Sequence, residues 1–222
     1  MEKAFWQHRW QEGKIGFHEG VPNRHLSDHL DALGLAQGRH IFVPLCGKAV
    51  DIDWLLTKGL RVSGAELNFD AVEAVFDRLG VTPETTQSGA LTRYSRDNLT
   101  IWAGDFFKLK AEDVGFIDAV YDRGALVALP PHMRAAYTSQ MRVLCRDVPR
   151  LLVTYDYDQS QMDGPPFSVP EDRIHDLFDD QFVIERLASV PITGPLAERC
   201  SGEEQAWLLQ PLGSRGRPLK QG

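Results

Sequence analysis

The chain has 222 residues and a mass of 24.9 kDa; 43% of it is hydrophobic, and 24 Lys and Arg stand against 31 Asp and Glu, for a net charge of −7 and a pI near 5.5. That aliphatic content is too high for a disordered chain, and the length is enough to bury one sizeable core. The acidic balance argues against a protein that tracks phosphate backbones, and the three cysteines (Cys46, Cys145, Cys200), with no C-x-x-C spacing, argue against a disulfide framework or a zinc ribbon.

The opening ten residues lack the apolar core and small-residue cleavage site of a signal peptide. No run approaches the roughly 18–20 uninterrupted apolar residues of a transmembrane helix. The expectation is a soluble cytoplasmic protein in a reducing compartment, with neither nucleic acid nor membrane as partner. No exposed heptad or edge motif is visible, so a monomer is expected. Residues 1–212 read as one domain, with residues 1–30 an aromatic lid region and residues 213–222 a flexible, Gly-rich basic tail.

In chain order, residues 40–45 form a short buried-strand pattern that stops at Cys46-Gly47. Residues 48–58 read as a helix ended by Gly59, and residues 60–67 as a second strand. Val72, Val75, Phe76 and Leu79 repeat at helical spacing over residues 70–79, and Gly80 closes that helix. Residues 82–96, rich in Thr, Ser and Gly, read as a connection. Residues 99–103 and 116–121 are the third and fourth strands. Residues 131–144 are a helix with Pro in its first turn. A fifth strand at 150–155 and a short helix at 171–178 follow. Residues 182–190 and 204–209 read as a closing antiparallel pair. Strands alternating with helices mean a doubly wound, mainly parallel sheet with helices on both faces. Such sheets bind ligands outside the carboxyl ends of their strands, which directs attention to the residues just after Leu45, Leu67, Ala103 and Tyr121.

The first of these turns has one glycine, Gly47, where a dinucleotide fingerprint wants three, so alone it is also an ordinary strand-to-helix turn. Glu66 follows Gly47 by 19 residues. An acid near that distance is placed to accept from both hydroxyls of a ribose, because two carboxylate oxygens match two donors. Turn and acid together favour a nucleoside-bearing cofactor without separating a nicotinamide from S-adenosyl-L-methionine. Asp105 follows the third strand, placed either to accept from an adenine amine or to cap a turn. Phe106 and Phe107 beside it suit the core or a ring face. Arg123 ends the fourth strand, where its fixed charge suits a cofactor carboxylate or an anionic acceptor, or a salt bridge to Asp122 or another acid.

The N-terminus is aromatic. Trp6 and Trp10, four apart, share one helical face, and Phe17 follows. Three readings stand: a core-capping helix, an interfacial helix, or a lid whose ring faces attract a cation such as a sulfonium. His25 and His29 have the i, i+4 spacing of a metal pair but lack a third ligand, so they read as a solvated helix face and no metal is expected.

Four blocks resemble hallmarks of the thiopurine S-methyltransferase family. They are Trp6 to Trp10 followed by residues 13–19 (GKIGFHE), residues 42–50 (FVPLCGKAV), residues 122–128 (DRGALVA) and residues 164–170 (GPPFSVP). They fall in order, and the likeness is to bacterial members. The resemblance implies a class I S-adenosylmethionine-dependent methyltransferase fold: a Rossmann-like, seven-stranded α/β sheet whose first five strands are parallel and whose last two form a reversed hairpin. It implies cofactor contacts at Trp10, Leu45, Glu66, Asp105, Phe106 and Arg123. It implies acceptor contacts at Phe17, Arg123 and Arg199, with no certain catalytic base and Arg123 steering the acceptor. The implied reaction moves a methyl group to the sulfur of an aromatic or heterocyclic thiol, with selenium or tellurium species as further acceptors in detoxification. A non-catalytic protein that senses S-adenosylmethionine or carries chalcogen compounds is the competing reading.

Overall fold

In the computed structural model, residues 19–214 are described, together with Trp6 and His8. The expectations placed on Trp10, Phe17 and the end of the tail lie outside the described residues.

One sheet of nine strands organises the molecule: β1 (His40–Val43), β2 (Arg61–Glu66), β3 (Glu84–Ser88), β4 (Leu91–Arg96), β5 (Leu99–Ala103), β6 (Ala119–Arg123), β7 (Arg150–Tyr157), β8 (Phe182–Pro191) and β9 (Gly202–Pro211). Their order across the sheet is β3-β4-β5-β2-β1-β6-β7-β9-β8. The five central strands, β5 to β7, are parallel. The closing antiparallel pair is present, and β9 inserts between β7 and β8. The fold is that of a class I methyltransferase, with one correction to the strand count. The sheet has nine strands rather than seven, because residues 84–96 form a β3–β4 hairpin instead of a plain connection. That hairpin adds at the edge beside β5. Every residue of β3 is exposed or half-buried, so it carries no hydrophobic period to read. It is held by backbone pairing and by the Tyr94 ring of β4 stacking on Phe76, 6.3 Å between centroids.

Helices cover both faces, and the strands alternate accordingly. Ile41 and Val43 of β1 face one apolar cluster, while Phe42 between them faces the other. The first cluster receives α1 (Arg24–His29), α2 (Asp51–Thr57) and α3 (Phe69–Leu79) through Leu26, Ile52, Leu55, Val72 and Val75. The second receives α4 (Ala111–Val114), α5 (Pro131–Cys145) and α6 (Glu171–Phe178) through Val114, Tyr137, Met141, Ile174 and Phe178.

Two further expectations change. The strand expected over residues 40–45 ends at Val43, because Leu45 takes a left-handed backbone (φ 44°) that no ladder accommodates. The helix expected from residue 48 starts at Asp51 for the same reason: the chain spends residues 44–50 turning. The described end of the expected lid region belongs to the core. Leu26, Leu30 and Leu33 are buried in the core, so residues 24–33 are a fixed wall. His25 is 1% exposed, which corrects the solvated face expected for the histidine pair; its neighbour His29 is half-buried and stacks on it, 6.2 Å between ring centroids.

Candidate active site

The carboxyl ends of β1, β2, β5 and β6 meet at one edge of the sheet, and two differently built regions lie along it. The first centres on Glu66, the last residue of β2. Its Oε2 accepts from the Gly47 N–H and its Oε1 from the Asn68 N–H, both at 2.8 Å. One carboxylate therefore clamps the turns that follow β1 and β2. The backbone of Glu66 extends the clamp, since its carbonyl accepts from the Gly104 N–H beyond β5 at 2.8 Å. Burial pushes the Glu66 carboxyl up, and the hydrogen bonds from Asn68 and Gly47 pull it back.

The turn after β1 is fixed from several sides. The Cys46 N–H donates to the Ala65 carbonyl at 3.0 Å. Gly64 must lack a side chain here, because a Cβ would come within 2.8 Å of the Cys46 sulfur. Arg78 of α3 reaches under the turn, donating to the Lys48 and Ala49 carbonyls and pairing with Asp53. Cys46 is thus a buried packing thiol, and burial raises it well above its ordinary value.

Each Glu66 oxygen holds one backbone N–H and keeps acceptor capacity for a further donor. That pair of acceptors fits the two donors of a ribose vicinal diol, with the left-handed Leu45 backbone beside it. Asp105 stands exposed after β5, and its carboxylate caps the following turn by accepting from the Phe107 N–H at 3.0 Å. The ring of Phe106 is only 5% exposed and packs against Tyr137, 5.4 Å between centroids. The face expected to meet a ligand is committed to the core, so what Phe106 offers the edge is its backbone.

The second region centres on Arg123, the last residue of β6. Of the salt-bridge partners expected for Arg123, Asp122 or another acid, the structure takes another acid. Asp122 points to the other face, accepting from the Tyr137 hydroxyl at 2.6 Å and the Leu126 N–H at 3.1 Å. Arg123 pairs instead with Glu19 at 2.8 Å and lies 4.0 Å from Asp51, with its own side chain 6% exposed. Burial alone would lower the guanidinium, but Tyr121, Glu19, Tyr155 and Asp51 more than offset it, so its value is raised. Asp51 in turn accepts from the Asn23 N–H at 2.7 Å and the Tyr121 hydroxyl at 3.1 Å, tying the segment before α1 to the edge.

Glu204 of β9 completes this region, 3.4 Å from the Tyr155 hydroxyl and 3.7 Å from His25 Nε2. The sequence reading missed Asp51, Tyr121, Tyr155 and Glu204. None falls in a recognisable spacing, since they come from four elements and meet only after the sheet forms. Arg199 stands apart. It is exposed in the loop before β9 and lines an open cleft of about 480 Å³ with Ser160, Gln161, Met162, Asp163 and Gly164, beyond the carboxyl end of β7. The block at 164–170 closes against the same strand end, where the Tyr157 hydroxyl donates to the Pro166 carbonyl at 2.6 Å and the Val169 N–H to the Tyr155 carbonyl at 2.7 Å.

A sequence profile described as Thiopurine S-methyltransferase (TPMT) matches residues 1–208. The chain belongs to the thiopurine S-methyltransferase family. A thiopurine S-methyltransferase of Xanthobacter autotrophicus is 47% identical over 211 residues, 95% of this chain and 99% of that one. Another, of Pseudomonas fluorescens, is 47% identical over 195 residues, 87% of this chain and 89% of that one. Among solved structures, the 1,6-didemethyltoxoflavin-N1-methyltransferase of Burkholderia thailandensis, bound to 1,6-didemethyltoxoflavin and S-adenosylhomocysteine, superposes with a TM-score of 0.63. It covers 94% of this chain and 87% of its own at 15% identity, a likeness of fold. As a thiopurine S-methyltransferase family member the chain is a methyltransferase, with S-adenosylmethionine as its methyl donor. That settles the choice between cofactors that turn and acid alone left open. Among the described residues no helix is long and apolar enough to cross a membrane, and no group of three His, Cys, Asp or Glu could hold a metal ion.

Proposed function

We propose that the protein methylates the sulfur of aromatic and heterocyclic thiols, thiopurines among them, and accepts selenium and tellurium species as further substrates in a detoxifying role. The family match over residues 1–208 is the observation that carries this reading. The site chemistry is compatible with it: a diol-matching buried carboxylate lies on one side of the edge and a buried guanidinium on the other.

Bound S-adenosylmethionine supplies a methyl group on a sulfonium, which the acceptor sulfur takes by in-line displacement with release of S-adenosylhomocysteine. The chain's own residues orient and enclose. Glu66 takes the ribose hydroxyls. Leu45 and Trp10 line the donor, and Asp105 with the Phe106 backbone borders the adenine. Arg123 serves both partners: it holds the donor's carboxylate end and steers the acceptor, whose partial negative charge it favours. Phe17 is assigned to the acceptor side, and so is Arg199, from the cleft beyond β7. Positioning accounts for most of the rate, because the attacking sulfur is already soft and polarizable and charge disperses in the transition state.

The test is methyl transfer from labelled S-adenosylmethionine to mercaptopurine, with selenite and tellurite in parallel. Saturable S-methyl product that weakens in Glu66→Ala is the expected result. Cofactor binding with no transfer to any of the three acceptors would overturn the reading.

A further inference from the structure

One buried acid at this edge has no part in the binding roles above. Glu204 stands opposite Tyr155 in the β7–β9 ladder, with its side chain 14% exposed. The groups facing it come from four directions. Tyr155 of β7 reaches its Oε1 at 3.4 Å, and His25 of α1 approaches its Oε2 at 3.7 Å. Asn23, Arg123 and Glu19 act on its charge, from the N-cap of α1, from β6 and from the segment before α1.

His25 makes the cluster unusual. Neither of its ring nitrogens has a hydrogen-bond partner among the described residues, although the side chain is 1% exposed. A buried polar group left unmade costs on the order of 1–3 kcal/mol, so folding alone does not account for an imidazole there. The His25 ring keeps polar capacity beside the Glu204 carboxylate, within the field of Arg123.

A heterocyclic thione has a ring N–H next to its C=S. When the sulfur is methylated, that N–H proton must leave, or the product stays cationic. We propose that Glu204 is the catalytic base that takes the ring N–H proton of a heterocyclic thione as its sulfur is methylated. This rests on the thiol reading given above.

The step balances. A sulfur electron pair forms the new S–CH3 bond, and the pair of the broken sulfonium S–CH3 bond stays with S-adenosylhomocysteine. The N–H pair forms the ring C=N as C=S becomes C–S, and the proton goes to a Glu204 oxygen and then to solvent. Burial first, and then Glu19, raise the Glu204 carboxyl, which brings a carboxylate closer to the basicity a weakly acidic N–H requires. His25 is held to about 4, by burial first and then by neighbouring charges that include Arg123. It therefore stays neutral and accepts from the protonated acid.

An aryl thiolate already ionised at the assay pH needs no such proton acceptor. The full-length protein and its Glu204→Gln variant are compared with mercaptopurine and with 5-thio-2-nitrobenzoate. Calorimetric binding of S-adenosylmethionine serves as the folding control. The expected result is a fall in kcat/KM at least about tenfold larger for mercaptopurine than for the thiolate, shrinking as pH rises through the ionisation of mercaptopurine. Glu204→Asp, which keeps a carboxylate, recovers part of that difference. Equal falls with both acceptors at every pH, or no fall with either, would overturn the role of Glu204 while leaving the thiol reading intact. Failure of the unmodified protein to methylate either acceptor would overturn the thiol reading and this inference with it.

Discussion

The two regions of the active edge are built by opposite means. Around Glu66 the bonds are backbone amides donating to one carboxylate, from residues 19 positions earlier and two positions later in the chain. Around Arg123 they are side-chain ion pairs and hydroxyls, drawn from Glu19, Asp51, Tyr121, Tyr155 and Glu204. Backbone donors are fixed once the strands and turns form, so the Glu66 region is rigid by construction. The Arg123 region depends on side chains that can exchange partners, which suits a surface that must admit different acceptors. On the proposed reading, the ribose side of the cofactor is held by a carboxylate set in main-chain bonds, and the end shared with the acceptor by side chains.

The sharpest way to break that contrast is Glu66→Ala. On the proposed reading it removes two charged hydrogen bonds to a ribose, each worth about 1.5–3 kcal/mol, so the cofactor Kd should rise by roughly two orders of magnitude or more. A calorimetric Kd within threefold of the parent would mean that the carboxylate is only a turn clamp. Phe106→Ala probes the same side for scaffold against contact. Removing a buried ring costs about 3–5 kcal/mol, or roughly 10 °C in Tm for a chain of this size, with cofactor affinity little changed in the protein that remains folded. A loss of affinity at constant Tm would put the ring on the adenine.

On the other side, Arg123→Ala should lower turnover with a thiol acceptor by about a hundredfold, the equivalent of roughly 3 kcal/mol. Unchanged turnover together with unchanged cofactor affinity would leave Arg123 a structural ion-pair partner only. Tyr137→Phe, on the face away from Arg123, removes the hydroxyl donor to the buried Asp122. It should cost about 1–3 kcal/mol of stability, read as a Tm shift, with kcat held to within about twofold.

The last effect is in the pH dependence of stability. His25 is held to about 4 in the folded chain against 6.5 in the unfolded one. Between these values the unfolded state binds the extra proton, so stability is full above pH 6.5 and falls as pH drops toward 4. Replacing the titrating ring in His25→Gln should flatten the slope of stability against pH in that window by close to one proton. An unaltered slope would show that His25 titrates normally and that the wall formed by α1 is open to water.

The parallel strands, the helices beginning near residues 70 and 131, and the pairing of Glu66 with the Gly47 turn were legible because each rests on local spacing. A period of 3.6 marks α3, and a fixed interval of 19 residues joins Gly47 to Glu66. The β3–β4 hairpin was not legible. An exposed edge strand such as Glu84–Ser88 needs no apolar alternation, only a neighbour with free backbone groups. His25 was misread for a related reason. Two histidines at i, i+4 look the same on a wet face and a dry one until the packing of α1 is known, and Leu26 beside them is what turns that face inward.

Sequence by itself determined the layered α/β plan, the strand ends that form the candidate site, and the family, because strings such as residues 42–50 and 122–128 carry their meaning in adjacent residues. Only the tertiary structure decided that Phe106 turns its ring into the core and Arg123 pairs away from Asp122. Only it showed that Asp51, Tyr155, His25 and Glu204 share one buried neighbourhood. Those outcomes turn on which side of a strand end or helix a side chain takes, and on charges brought together from as far apart as residues 19 and 204. Burial in low dielectric makes such long-range pairings strong, and chain distance carries no trace of them.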